Sequence, residues 1–144
     1  MMQQLPQERV MIGIAAQAMT ERAIELTVEY VKERQAFKKP LSEMQNTRFK
    51  LAECQIATTV TRAFIDNCIA KHIRHELTTV EASMAKSWCT DQQSKVIDEC
   101  VQLFGGYGYM EEYPIARMFA DVRVQRIYGG TNEIMKEIVA RSLF

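Results

Sequence analysis

Apolar residues in this 144-residue chain recur at steps of three and four, and nowhere alternate strictly over more than a few positions. That rhythm fits buried helix faces and leaves essentially no place for a strand. The first stretch opens at Pro6, a residue suited to a first helical position because its missing N–H would be unpaired there anyway. Val10, Ile14, Ile24, Val28 and Val31 mark its apolar face, and it is expected to run to about Ala36. After Phe37-Lys38-Lys39-Pro40, a second stretch starts near Ser42, which with Gln45 has the spacing of a capping box. Phe49, Ala52, Ile56, Val60 and Ala63 continue the stripe, and the stretch ends near His75. A third runs from Thr78, paired with Glu81 as another capping box, to Gly105-Gly106. Ala82, Ala85, Cys89, Val96, Cys100 and Leu103 form its apolar face.

An irregular segment from Gly106 to Tyr113 follows. Pro114 then opens a short helix to about Val122, and Thr131 caps a last one to about Leu143. Three long helices joined by tight turns make an up-down arrangement. The expected fold is all-α, an up-down four-helix-bundle-like domain with a short extra C-terminal helix. Only three Pro and six Gly interrupt the chain, which leaves such lengths of helix possible.

The charge balance excludes several functions. Lys plus Arg is 18 and Asp plus Glu is 18, so bulk charge gives no reason to expect a nucleic-acid partner or an anionic membrane surface. No apolar run approaches the roughly 18–20 residues of a membrane helix. The start, MMQQLPQERV, has no basic region followed by an apolar one, so no secretory signal is expected. Cys54, Cys68, Cys89 and Cys100 are widely spaced inside helical stretches and read as buried free thiols. His72 and His75 stand beside Lys71 and Arg74, which reads as a solvated basic helix end and not as a metal site.

Chemistry has few places to reside. Gln102-Leu103-Phe104-Gly105-Gly106 and Tyr128-Gly129-Gly130-Thr131 are glycine turns at helix boundaries. Each is either a plain cap or a bare backbone cradle for phosphate or a polarised carbonyl. Pro6-Gln7-Glu8-Arg9 sets a carboxylate beside a guanidinium at a helix start, either a first-turn dipole preference or a functional pair. Tyr107, Tyr109 and Tyr113 are either a ligand wall or packing.

Taken together, four blocks resemble one family in order. VKERQAFKKPL over Val31–Leu41 resembles the acyl-CoA dehydrogenase segment RxxFGxPL. QLFGGYGY over Gln102–Tyr109, followed by Glu112-Tyr113-Pro114, resembles its glycine-rich segment. ARMFADVRVQRIYGGTNEIMKEIVAR resembles its C-terminal ending, and Glu8-Arg9 resembles an ER pair at the start of the first long helix. The resemblance covers nearly all of residues 1–144 but only the family's C-terminal helical domain. The N-terminal helical and middle β-domains have no counterpart here, so a fragment of a longer protein or a naturally short product is expected.

The resemblance implies an FAD-dependent oxidation of acyl-CoA to trans-2-enoyl-CoA. A glutamate takes the α-proton, and the β-hydrogen leaves as hydride to flavin N5. Most members carry that glutamate in a Y-E-G-T loop. The same loop here reads Tyr128-Gly129-Gly130-Thr131, so Gly129 stands where the carboxylate would be. Long-chain and isovaleryl-type members use the ER pair, which implies Glu8 as the base. Such a base needs a dry apolar pocket to raise its pKa toward neutrality. Arg9, Gly129 and Gly130 would border the substrate, and the Gly129 N–H would help polarise the thioester carbonyl.

For FAD, the resemblance implies Arg34 at the pyrophosphate, Phe37 at the adenine end and Gln45 beside it. It also implies Gln102, Leu103, Phe104, Gly105, Gly106, Thr131, Asn132 and Glu133. Those contacts cross a subunit interface in the family, which implies a homo-oligomer, a dimer of dimers. Electron-transferring flavoprotein is the implied acceptor, in a bacterial cytoplasm or a mitochondrial matrix. Lys38 stands where the family has glycine, so the turn or the adenine contact is expected to differ. Two other readings fit this helical scaffold: an acyl-CoA oxidase-type enzyme, or a module that only oligomerises when isolated.

Overall fold

The computed structural model describes residues 5–144; the opening residues 1–4, read above for a signal sequence, lie outside that range. Helix α1 covers Leu5–Glu33, α2 Gln45–Ile73, α3 Thr79–Phe104, α4 Pro114–Val122 and α5 Asn132–Arg141. The three long helices run up and down, and α1 packs along α3 more extensively than any other pair. Helix α2 flanks both, while α4 and α5 pack on α3. The expected all-α, up-down architecture is what the chain adopts.

Two cores hold it. One gathers Ala23 and Ile24 from α1, Cys54 from α2, Val96, Ile97, Cys100 and Phe104 from α3, and Ile115 and Val122 from α4. The other joins Val10, Ala16, Ile65, Cys68, Ala85 and Cys89. Full burial of each Ile or Val side chain contributes about 1.5–3 kcal/mol. Small residues let the helices approach. Gly13 on α1 lies against Ala85, and a Cβ there would stand 3.4 Å from the Ala85 carbonyl oxygen. All four cysteines are free and buried, and burial pushes the Cys89 thiol up to about 12.

Caps follow the expected chemistry at two of three sites. Thr78 and Glu81 form the reciprocal capping box at the start of α3, and the Thr131 hydroxyl accepts from the Ile134 amide. The Ser42–Gln45 box does not form. Leu41–Glu43 is a short 3₁₀ turn instead, and α2 begins one residue after Met44, which has no side-chain cap.

Two further expectations need correction. Helix α1 stops at Glu33, because Gln35–Ala36 (β1) turns back onto Lys39–Pro40 (β2) as a minimal antiparallel hairpin. Its tip, Phe37-Lys38, has φ of 53° and 66°, the pattern of a type I′ turn. Lys38 therefore adopts the left-handed conformation that glycine would supply, at a cost of about 1–2 kcal/mol.

The stripe on α2 faces the other way. Phe49, Ile56 and Val60 are 58%, 65% and 59% exposed, and Ala52 and Ala63 are exposed with them. Thr47, Cys54, Thr58, Thr61, Ile65 and Cys68 are buried in their place. The Thr61 hydroxyl accepts from the Trp88 indole and the Thr58 backbone carbonyl from the Gln17 amide, while the buried Thr58 hydroxyl has no partner among the described residues.

Candidate functional site

Glu8 lies in the first turn of α1, exposed, on the rim of an open cleft of about 580 Å³. Gln7, Met11, Ile12, Tyr128 and Gly129 complete its wall. The two positions that the sequence set in opposition, a carboxylate at 8 and a glycine at 129, thus face one space. The apolar wall is Met11, Ile12 and the Tyr128 ring, but this chain's described residues leave the carboxylate open to solvent and do not enclose the dry pocket expected for it.

Position 129 is closed to side chains. Gly129 has φ of 67°, and a Cβ built there would stand 2.5 Å from Ile12 Cδ1. Any residue larger than glycine would need both a strained backbone and a displaced Ile12. Gly130, with φ of 93°, would press a Cβ to 2.9 Å from Met135 Cε.

What holds this loop comes from α3. Lys86 is fully buried, and its ammonium donates to the Gly130 carbonyl and to Asn132 Oδ1, both at 2.8 Å. Asn132 Nδ2 donates onward to Thr90 Oγ1 and Asp91 Oδ1, and Asp91 pairs with Arg126 at 2.7 Å. Burial lowers the Lys86 pKa to about 8, against the favourable charges of Asp91 and Glu133. Sequence reading passed over Lys86. The signal was there: it interrupts the buried row Ala82, Ala85, Cys89 of α3 with a charge that the row must then satisfy.

Two residues expected at ligands are turned inward. Arg9 is 6% exposed, donates to Ser83 Oγ at 3.1 Å and does not line the cleft. Asn132 is 1% exposed, and its amide is committed to the loop anchor just described. Thr131 is the cap of α5, while Glu133 in its first turn is exposed. The Glu133 carboxyl is held below its usual range by its own backbone amide first and the Thr131 hydroxyl second.

A second cluster forms where α1 and α3 end. Arg34, Leu103, Gly105 and Gly106 line a cleft of about 590 Å³ together with Tyr30, Leu41 and Tyr107. The Arg34 guanidinium sits 5.3 Å over the Tyr107 ring. Phe104 is buried and stacks on Tyr30 at 4.0 Å, so it offers the cleft backbone and not a ring face. Gln102 is exposed on the last turn of α3, and its carbonyl accepts from the Gly105 amide. Phe37 is 91% exposed at the hairpin tip, and Gln45 is exposed at the start of α2. Tyr107 stacks on Tyr113 at 5.1 Å, so part of the tyrosine group is packing.

Helix α1 places the two clusters. Glu8 stands in its first turn and Arg34 just past its end, and 29 residues span about 43 Å. The carboxylate cleft and the arginine cleft are therefore at opposite ends of the bundle.

Known proteins share this fold. Residues 1–144 match the acyl-CoA dehydrogenase C-terminal domain family. The chain is 51% identical to the mitochondrial long-chain specific acyl-CoA dehydrogenase of Sus scrofa, over 99% of this chain and 33% of that protein. It superposes on a crystal structure of acyl-CoA dehydrogenase from Geobacillus kaustophilus with a TM-score of 0.96 and 48% identity, covering 99% of this chain and 37% of that one. An acyl-CoA dehydrogenase from Bacillus anthracis, solved in complex with FAD, matches with a TM-score of 0.87 and 28% identity over 96% of this chain and 27% of that one. The chain spans about a third of the length of the curated relatives it matches. By sequence and by fold, it belongs to the acyl-CoA dehydrogenase family, in the region of that family's C-terminal helical domain.

Proposed function

We propose that this chain supplies the catalytic base and part of the flavin site of an FAD-dependent acyl-CoA dehydrogenase, converting acyl-CoA to trans-2-enoyl-CoA. The observation that carries this reading is the shared cleft of Glu8 and Gly129. Glu8 takes the α-proton. Gly129, kept free of a side chain by Ile12, leaves room for the substrate α-carbon, and its N–H helps polarise the thioester carbonyl on this reading. Walls supplied from outside this chain dry the cleft and complete the base's environment.

The arginine cleft fits the anionic half of FAD. A Cβ at Gly105 or Gly106 would meet nothing within 4 Å, so bare backbone lies open beside the Arg34 guanidinium. Bound FAD supplies the hydride acceptor. An extended FAD is shorter than the distance between the two ends of α1, so the residues of both clefts serve one cofactor only if two protomers contribute. The unpartnered stripe Phe49, Ile56, Val60 on α2 supports the same conclusion, because a second copy would cover it. We read the working unit as a homo-oligomer, a dimer of dimers, passing electrons to electron-transferring flavoprotein.

Glu8→Gln in the complete protein tests the base. Turnover is expected to fall roughly 100- to 10,000-fold, the usual worth of a general base, with the flavin spectrum and FAD content unchanged. Near-normal turnover would refute the assignment.

A further inference from the structure

The Gly129-Gly130 turn has almost no conformational preference of its own, since both residues take positive φ and neither carries a side chain. Its position must be imposed from outside. Four contacts do so: Ile12 of α1 packs against Gly129, Met135 of α5 packs against Gly130, Thr131 starts α5, and Lys86 of α3 holds the Gly130 carbonyl. Among the described residues, only the last is a directed bond between the loop's own backbone and a distant helix. The same ammonium also fixes Asn132, so one group sets both the peptide after Gly130 and the first residue of α5.

We propose that Lys86 is a positioning residue of the reaction centre: through the Gly130 carbonyl and Asn132, its ammonium sets where Gly129 stands across the cleft from Glu8. This rests on the reading of Glu8 as base and Gly129 as the carbonyl contact. Lys86 touches neither substrate nor proton. It acts by holding a two-glycine turn that would otherwise wander by more than the sub-ångström tolerance of an aligned reaction.

The charge on Lys86 makes the grip adjustable. Asp91 and Glu133 favour the ammonium, while Arg9 and Arg126 and the surrounding burial oppose it. Its pKa lies near 8, so the strongest form of the anchor is present below that pH and is lost above it. Loss of charge leaves a weaker neutral donor, and the loop loosens without unfolding.

The experiment uses the complete protein with Lys86→Met and Asp91→Asn, read by steady-state kinetics across pH 6–10 and by amide hydrogen exchange. In the unaltered protein, kcat is expected to decline above about pH 8. Lys86→Met should lower kcat roughly 10- to 100-fold, change KM little, and abolish that alkaline limb. The amides of residues 129–131 should exchange faster while those of α1 and α2 do not change. Asp91→Asn removes a charge that favours the ammonium, so its limb should move to lower pH. That variant carries the test if Lys86→Met does not fold. Wild-type kcat and wild-type exchange in Lys86→Met, or an alkaline limb unmoved in Asp91→Asn, would overturn the proposal. Failure of the base assignment shows separately, as turnover retained in Glu8→Gln; the exchange rates at 129–131 then still report whether Lys86 holds the loop.

Discussion

Two glycine pairs, Gly105-Gly106 and Gly129-Gly130, occupy matching places in the sequence and opposite situations in the fold. At the end of α3, the space around Gly105 and Gly106 is open, and a Cβ on either meets nothing within 4 Å. Before α5, both glycines are hemmed in by Ile12 and Met135, and a buried lysine holds the second carbonyl. The first pair leaves its surroundings open, with Gly105 in the positive-φ conformation that ends α3. The second is bare because this protein already fills the space. The same dipeptide thus serves an outward surface in one place and internal packing in the other.

Gly129→Ala breaks that difference most directly. It combines a strained backbone, about 1–3 kcal/mol, with overpacking against Ile12 of similar size. A total loss of about 2–6 kcal/mol is expected, seen as a lower urea midpoint. A double-mutant cycle with Ile12→Ala should recover the packing part and leave the strain. If the two substitutions simply add, Ile12 does not close the position.

The pH dependence of the anchored loop ranks next. The unfolded chain holds the Lys86 proton up to about 10.5, and the folded protein releases it near 8. Between those values the unfolded state binds more protons, so stability from this group rises with pH. Relative to Lys86→Met, the unaltered protein should gain up to about 3 kcal/mol between pH 7 and pH 10.5. Turnover is expected to fall over the same range. Opposite trends in stability and rate separate a positioning lysine from one that only holds the fold, for which both would move together. No fully buried lysine or arginine underlies the Gly105 turn among the described residues, so a variant there should carry the same penalty at both pH values.

Gly105→Ala should cost about 1–3 kcal/mol, from φ strain alone. Since no atom stands within reach of the added carbon, shortening neighbouring side chains should recover none of it.

The same contrast shows why parts of the molecule were legible and others were not. Periodicity located the three long helices, because a buried face must repeat near 3.6 residues whatever it touches, while Pro114 and the Thr131 cap marked the two short ones. The faces of α1 and α3 read correctly for that reason. The stripe on α2 misled because apolar spacing marks a face without saying whether this chain covers it. Phe49, Ile56 and Val60 are left exposed by this chain, while Thr61 satisfies its hydroxyl inside it. The Ser42 cap failed because a 3₁₀ turn took the chain past it. Glu8 and Gly129 were legible as a pair only through resemblance, since no local pattern links residues so far apart. The inward side chains of Arg9 and Asn132 were not legible, because a residue type beside a site does not say which way it points. Lys86 was missed because a lone lysine in a helix reads as solvated until its neighbours are known to be buried.

Gly106→Ala is the mildest change and the sharpest test of the outward reading. Its φ lies outside the left-handed region and the added carbon meets nothing, so the unfolding midpoint should shift by no more than about 0.5 kcal/mol. A methyl group on an open cradle nevertheless stands where a phosphate or ribose would meet the backbone. In the complete protein, FAD affinity should therefore fall while stability holds, measured by flavin retention on dilution at matched temperature. Unchanged retention would mean that this turn is only a helix end. Arg34 and the hairpin tip at Phe37 would then have to hold the cofactor without it, and the open space at Gly105-Gly106 would have no ligand to explain it.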